Sequence, residues 1–162
     1  MKNLDDYYKA HASEIYKYIY ALSGRPEIAD DVLQEAFYRA YTHLESFTGQ
    51  NLRAWLYRIA HNVYIDYYRK EKRSQPQDTE FFVNIPGASD VEKDMIKQEH
   101  LAAVFRQIEN LPPQQKQALL LHSIHQLSYA EIATVLEVSE SSVKSLIFRA
   151  RAKLKQKVKG VM

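Results

Sequence analysis

Only four glycines and five prolines punctuate these 162 residues, and that scarcity limits the available folds more than any other feature. Proline removes a backbone donor and blocks the preceding turn, while glycine costs roughly 1 kcal/mol relative to alanine inside a helix. A chain that avoids both, and is rich in Ala, Leu, Gln, Glu, Lys and Arg, favours long helices over a turn-rich β meander. The breakers also show where the helices stop. They fall at Gly24 to Pro26, at Pro76 and Pro86-Gly87, and at Pro112-Pro113.

Apolar periodicity supplies the elements between these breaks. A first helix is expected over about residues 3 to 23, with Leu4, Tyr8, Ile15, Tyr18, Ile19 and Leu22 inward. A second starts near Glu27 with Ile28, Val32, Ala36, Ala40 and Leu44 near one face. A third runs from about Leu52 to Lys70, with Trp55, Leu56, Ile59, Ala60, Val63 and Tyr67 inward. The stretch 74–90, SQPQDTEFFVNIPGASD, lacks helical periodicity and reads as a linker, though Phe81, Phe82, Val83 and Ile85 are apolar enough to lie against a domain or a partner. Helices then follow over Val91 to Ile108, Gln114 to His122, Ser128 to Leu136 and about Glu140 to Lys157. The fold class is therefore all-α: two small helical domains joined by a flexible linker, with boundaries at 1–73, 74–95 and 96–162.

Several function classes are excluded or disfavoured. There is no cysteine, so disulfides, thiolate metal sites and cysteine nucleophiles are ruled out. No apolar run approaches the roughly 18 residues that span a bilayer, and MKNLDDYYKAH is too polar for a signal peptide, so a cytoplasmic location is expected. His122 and His125 stand three apart, but no third ligand, HExxH pattern, phosphate loop or nucleophile elbow accompanies them. Neither catalytic residues nor metal ligands nor cofactors are expected, and the chain is not read as an enzyme.

The net charge is only +2, yet it is unevenly placed: Lys144 to Lys159 holds seven basic residues and no acidic one. That run continues LSYAEIATVLEVSESSVKSLIFRARAKLK, residues 127 to 155. Ser128 and Glu131 have the spacing of a capping box, and Ser139 can cap a second helix. Ala130, Ile132, Ala133 and Leu136 can pack against that helix, and Val138 can fill the turn, which together describe a helix-turn-helix. With Val143, Ile147, Ala150 and Leu154 inward, the outward set is Ser141, Ser142, Lys144, Ser145, Arg149 and Arg151. Short hydroxyls allow close entry into a major groove, while Lys and Arg reach base edges or phosphates.

These residues resemble the C-terminal promoter-binding domain of bacterial sigma factors, with Leu127 to Ala133, Val143 to Ser145 and Arg149 to Arg151 carrying the pattern. The resemblance implies that the outward set reads the minus-thirty-five promoter element. Glu137 stands where the family commonly has glycine, and must then adopt a strained backbone. Leu146 stands where many relatives have arginine.

The N-terminal half extends the resemblance. Asp31, Gln34 and Glu35 lie at i, i+3 and i+4, on one helix face suited to a basic partner. The segment 29–41 resembles the sigma helix that docks on the clamp coiled coil of the largest polymerase subunit, which implies contacts by Asp31, Gln34, Glu35 and Arg39. Residues 47 to 73 combine aromatic rings, amides and the cations Arg69, Lys70, Lys72 and Arg73, the ingredients of a single-strand site. By resemblance, Thr48, Gly49, Gln50 and Asn51, up to Leu52, form a pocket for a flipped base, and Asn62, Asp66 and Arg69 contact the minus-ten element. Flipping costs a few kcal/mol and stacking returns roughly 1–3 kcal/mol per base, so no fuel is required.

The resemblance covers about residues 5–73 and 96–158. The large central domain and N-terminal inhibitory region of housekeeping sigma factors have no counterpart, which points to the extracytoplasmic-function (ECF) group. Membership implies core RNA polymerase (clamp coiled coil and the flap of the second-largest subunit) and promoter DNA as partners. It also implies a role in stress response, a nucleoid association with polymerase, and control by an anti-sigma factor, often membrane-bound, wedged between the domains. The rival reading is a stand-alone helix-turn-helix regulator that binds duplex DNA without polymerase.

Overall fold

The computed structural model describes residues 4–49, 51–74 and 103–159. Among them, regular structure is helical throughout. Helix α1 (Leu4–Ser23), α2 (Pro26–Thr42) and α3 (Leu52–Ser74) form the N-terminal group, with a 3-10 turn at Leu44–Ser46. Residues 103–109 belong to α4, followed by α5 (Pro113–Ser123), α6 (Tyr129–Leu136) and α7 (Glu140–Lys159). The all-α expectation holds, and each proline assigned as a break begins a helix where it can: Pro26 and Pro113 sit in first turns, where a missing N–H is harmless. Of the expected 74–95 linker, Ser74 ends α3, while residues 75–95, the start of the expected 91–108 helix, and Gln50 lie outside the described residues.

Packing follows the apolar stripes. α1 buries Ile15, Tyr18 and Ile19; α2 buries Ile28, Ala29, Val32, Leu33, Ala36, Phe37 and Ala40. α3 contributes Ala54, Leu56, Tyr57, Ala60, Val63 and Tyr64. In the C-terminal group Leu121, Leu127, Ile132, Val135, Val143, Ile147 and Ala150 are 0–1% exposed, each buried Leu, Ile or Val contributing about 1.5–3 kcal/mol. Some expected inward positions differ. Tyr8 is 45% exposed and meets Phe37 edge-on, 4.8 Å between ring centres. Ala130 is exposed, because the short α6 buries only Ile132, Val135 and Leu136.

The two groups do not stand apart. α3 packs along α6, and α1 touches α5. One continuous apolar cluster runs from Ile15 and Tyr57 through Leu121 and Leu127 to Ile132 and Ile147. That junction explains Tyr57, which single-helix periodicity did not mark as inward: the C-terminal group supplies its cover.

The helix-turn-helix is built as its sequence requires. Ser128 Oγ accepts from the Glu131 amide at 3.1 Å, and the Ser128 amide donates to Glu131 Oε1 at 2.9 Å, a complete capping box. Ser139 Oγ accepts from the Ser142 amide at 3.1 Å and caps α7. Glu137 closes α6 in the left-handed region at φ 57, ψ 47, as its place in a glycine-preferring turn demands. Ser128→Ala is expected to lower stability by about 1 kcal/mol through loss of one cap acceptor, read as a lower urea midpoint with unchanged slope.

Candidate nucleic-acid interface

On α7, Val143, Ile147 and Ala150 face the core. Helical geometry then turns the opposite side outward, and Ser141, Ser142, Lys144, Arg149 and Arg151 are all exposed. Ser145 is half-buried at the edge of this face. The Ser139 hydroxyl gathers Ser141 Oγ at 3.1 Å and donates to Ser142 Oγ at 2.9 Å. Lys144 Nζ lies 6.0 Å above the Tyr129 ring. Leu146, where relatives often have arginine, packs against the core rather than joining the basic face. The exposed set is thus a hydroxyl-rich helix start followed by cations.

A second assembly lies between α2 and α3. Asp31, Gln34, Glu35 and Arg39 from α2 line an open groove together with Val63, Asp66, Tyr67 and Lys70 from α3. The link is Arg39: its Nε donates to Glu35 Oε1 at 3.0 Å, and its Nη1 lies 3.8 Å from Asp66 Oδ2. The structure therefore joins residues that the sequence assigned to two separate tasks. Asn62 is half-buried and Asp66 and Arg69 are exposed on the same helix.

The loop before α3 is shaped by Phe47, which packs on Trp55 with ring centres 4.8 Å apart. A Cβ on Gly49 would stand 3.0 Å from the Phe47 ring, so glycine lets the loop fold tightly over it. Thr48 and Gly49 remain exposed. Asn51 Oδ1 accepts from the Ala54 amide at 2.9 Å and caps α3, which leaves its NH2 group to face outward.

That NH2 group meets the other half of the molecule. Asn51 Nδ2 donates to Glu131 Oε2 at 3.0 Å, and Arg53 Nη1 lies 3.9 Å from the same oxygen. Arg53 Nη2 donates to the His125 carbonyl at 2.6 Å, and Arg58 pairs with Glu137. Burial pushes the Glu131 carboxyl up, but the Ser128 amide, the Asn51 amide and the Arg53 charge outweigh it and hold the group below its ordinary range. Sequence reasoning missed Arg53 and Arg58 and the pairing of Glu131 and Glu137 with α3, since partners about 70 to 80 residues apart leave no local pattern.

The histidines at the junction are structural. Tyr18 is fully buried with its hydroxyl 3.0 Å from His61 Nδ1, and burial holds His61 down at about 4, with Glu137 weakly opposing. His125 Nδ1 lies 3.3 Å from both Tyr57 Oη and Glu14 Oε2. Burial lowers His125 as well, against the pull of Glu14. His122 faces a different partner, the Leu127 carbonyl, at 3.2 Å. Burial drives the Tyr18 and Tyr57 hydroxyls upward as well, Tyr57 to about 12.

A helix-turn-helix with a basic outer face is thus joined to a three-helix group whose α2–α3 groove carries acidic and basic side chains together, the arrangement of a helical DNA-binding protein. Residues 7–74 match the family Sigma-70 region 2, and residues 101–154 match Sigma-70, region 4. The ECF RNA polymerase sigma-E factor of Escherichia coli (strain K12) is 37% identical over 142 residues, covering 82% of this chain and 74% of that protein. The ECF RNA polymerase sigma factor SigM of Bacillus subtilis (strain 168) is 29% identical over 152 residues, 94% of this chain and 93% of the relative. Among solved structures, the sigma factor RpoE of Bartonella quintana, in complex with the anti-sigma factor NepR, superposes with a TM-score of 0.80 at 23% identity over 98% of both chains. The chain belongs to the ECF sigma factors of RNA polymerase. It is accordingly a transcription initiation factor and not an enzyme. Among the described residues no helix is long and apolar enough to cross a membrane.

Proposed function

We propose that this chain divides promoter recognition between residues 1–73 and 96–162, with 74–95 as the tether. Asp31, Gln34, Glu35 and Arg39 dock on the clamp coiled coil of the largest polymerase subunit, while the C-terminal part meets the flap of the second-largest. Asn62, Asp66 and Arg69 contact the minus-ten element, with Thr48, Gly49, Gln50 and Asn51 forming the pocket for a flipped base. Ser141, Ser142, Lys144, Ser145, Arg149 and Arg151 engage the minus-thirty-five element. The single observation that carries this reading is the groove in which Arg39 bridges Glu35 and Asp66. It supports a direct mechanical link: polymerase seated on α2 bears on the residues of α3 that meet the strand, so docking and strand capture occur together.

Control by an anti-sigma factor, in some cases membrane-bound, follows from family membership and is supported by the shared fold with Bartonella quintana RpoE, which was solved with NepR. The chain works in the cytoplasm, on the nucleoid with polymerase. Co-purification with core polymerase, followed by transcription from its own genomic promoter region with and without the chain, tests the whole reading; transcripts independent of the chain would sink it. Within that assay Asn62→Ala is expected to lower promoter opening about tenfold, as loss of roughly 1–2 kcal/mol at one base requires. Closed-complex binding should fall much less. Equal losses in permanganate footprinting and in a mobility-shift assay would contradict the assigned role.

A further inference from the structure

We propose that Tyr129 is a positioning residue for promoter reading: its ring, braced by His122, holds the Lys144 ammonium at the outer face of α7 and so sharpens the choice of base that Lys144 makes. The proposal rests on the assignment of Lys144 to the minus-thirty-five element. It adds Tyr129 and His122, acting through Lys144, to the residues that set promoter specificity.

Lysine carries a compact charge on a flexible four-carbon stem, so the aim of its three donors depends on its surroundings more than that of arginine's planar fork. Lys144 is exposed, and its Nζ lies over the Tyr129 ring, 6.0 Å from the ring centre. Among the described residues it has no carboxylate partner. That difference matters for reading DNA. A carboxylate would occupy the N–H donors and cancel the charge. A ring attracts the cation through its quadrupole and leaves all three donors to a base edge or a phosphate. Lys144 is also the only cation in residues 140–148, so the start of α7 has no second charge to substitute for it.

The ring is itself held in place. Tyr129 opens α6 directly after the Ser128 cap and lies half-buried against the core. His122, near the end of α5, packs on it with ring centres 5.0 Å apart and planes tilted by 40°. His122 is tied in turn: its Nδ1 lies 3.2 Å from the Leu127 carbonyl, which can only accept, so Nδ1 carries the hydrogen and donates. The α5–α6 turn, the cap and the two rings thus form a fixed edge beside α7, against which the lysine stem rests.

The test uses holoenzyme assembled from core polymerase and the full chain. Its templates are the chain's own genomic promoter region and a set with single base-pair changes across the minus-thirty-five element. Lys144→Ala is expected to abolish the penalty for a change at one base pair. Tyr129→Leu fills the space but offers no ring to a cation, and is expected to reduce that same penalty about threefold while sparing the others. Tyr129→Phe keeps the ring and should restore it. In the Lys144→Ala background, Tyr129→Leu should have no further effect at that base pair. Loss of packing alone would lower transcription on every template alike, so a base-pair-specific readout separates aim from stability. If Tyr129→Leu leaves the penalty intact or lowers every penalty equally, or if Tyr129→Phe fails to restore it, the positioning role is overturned and the assignment of Lys144 stands. If Lys144→Ala changes the penalty at no single base pair, that assignment falls and the proposal with it.

Discussion

Acidifying the protein from pH 7 to pH 4 is expected to remove about 3 kcal/mol of folding stability through His61 alone. His61 is 7% exposed, lies 3.0 Å from the buried Tyr18 hydroxyl, and is held down at about 4 against an ordinary 6.5 because burial penalises its charged form. The sign follows from proton uptake. Above 6.5 neither the folded nor the unfolded chain protonates this ring, and its contribution is fully present. Between 6.5 and about 4 the unfolded chain binds the proton and the folded chain resists it, so stability falls steadily. His125 is lowered too, and Glu131 sits below its ordinary range, so both add to acid sensitivity rather than offset it. Urea midpoints measured at pH 7, 5.5 and 4 read the effect. His61→Gln, which cannot titrate but keeps a polar atom beside Tyr18, should flatten most of the slope; an unchanged slope in that variant would refute the assignment to His61.

The second large effect is mechanical. Ile147→Ala is expected to cost about 2–5 kcal/mol, since a buried aliphatic truncation loses both transfer energy and the contacts around the cavity it leaves. In a chain of this size that corresponds to a fall in melting temperature on the order of 10 °C. Ile147 is 1% exposed on the inner side of α7, within the core cluster that spans both helical groups. Its neighbours on the outer side, Lys144 and Arg149, are untouched by the change. Promoter binding should therefore be near normal well below the new melting temperature and vanish as it is approached. Arg149→Ala should behave in the opposite way, weakening binding at every temperature with little change in melting. If Ile147→Ala weakened binding as much in the cold, the residue would have to act on DNA contacts and not on packing.

The His61 effect depends on the joint between the two helical groups, which also sets the difference between what was legible early and what was not. The capping box of Ser128 and Glu131, the Ser139 cap, the αL strain at Glu137 and the inward set Val143, Ile147 and Ala150 were all readable from the chain, because caps and helical faces are decided within a few residues. The family likewise showed in short motifs, Leu127 to Ala133 and Arg149 to Arg151 among them, which the matches to both sigma regions bear out. The coplanar placement of Asp31, Gln34 and Glu35 also came from i, i+3, i+4 spacing alone.

Tertiary structure decided the rest. Nothing in the local pattern of α3 makes Tyr57 an inward residue; it is buried because α5 and α6 bring His125 and Leu127 over it. Arg39 could be assigned to docking by sequence, but only the packing of α2 on α3 places its guanidinium between Glu35 and Asp66. Arg53 and Arg58 carry no local signal, and only the fold brings Glu131 and Glu137 to them from some 80 residues away. The physical reason is the same in each case. Backbone propensity and amphipathic spacing act over one or two turns, so sequence alone determined the helices, their caps and the family; burial and ion pairing depend on which surfaces meet, and only the folded chain decided those.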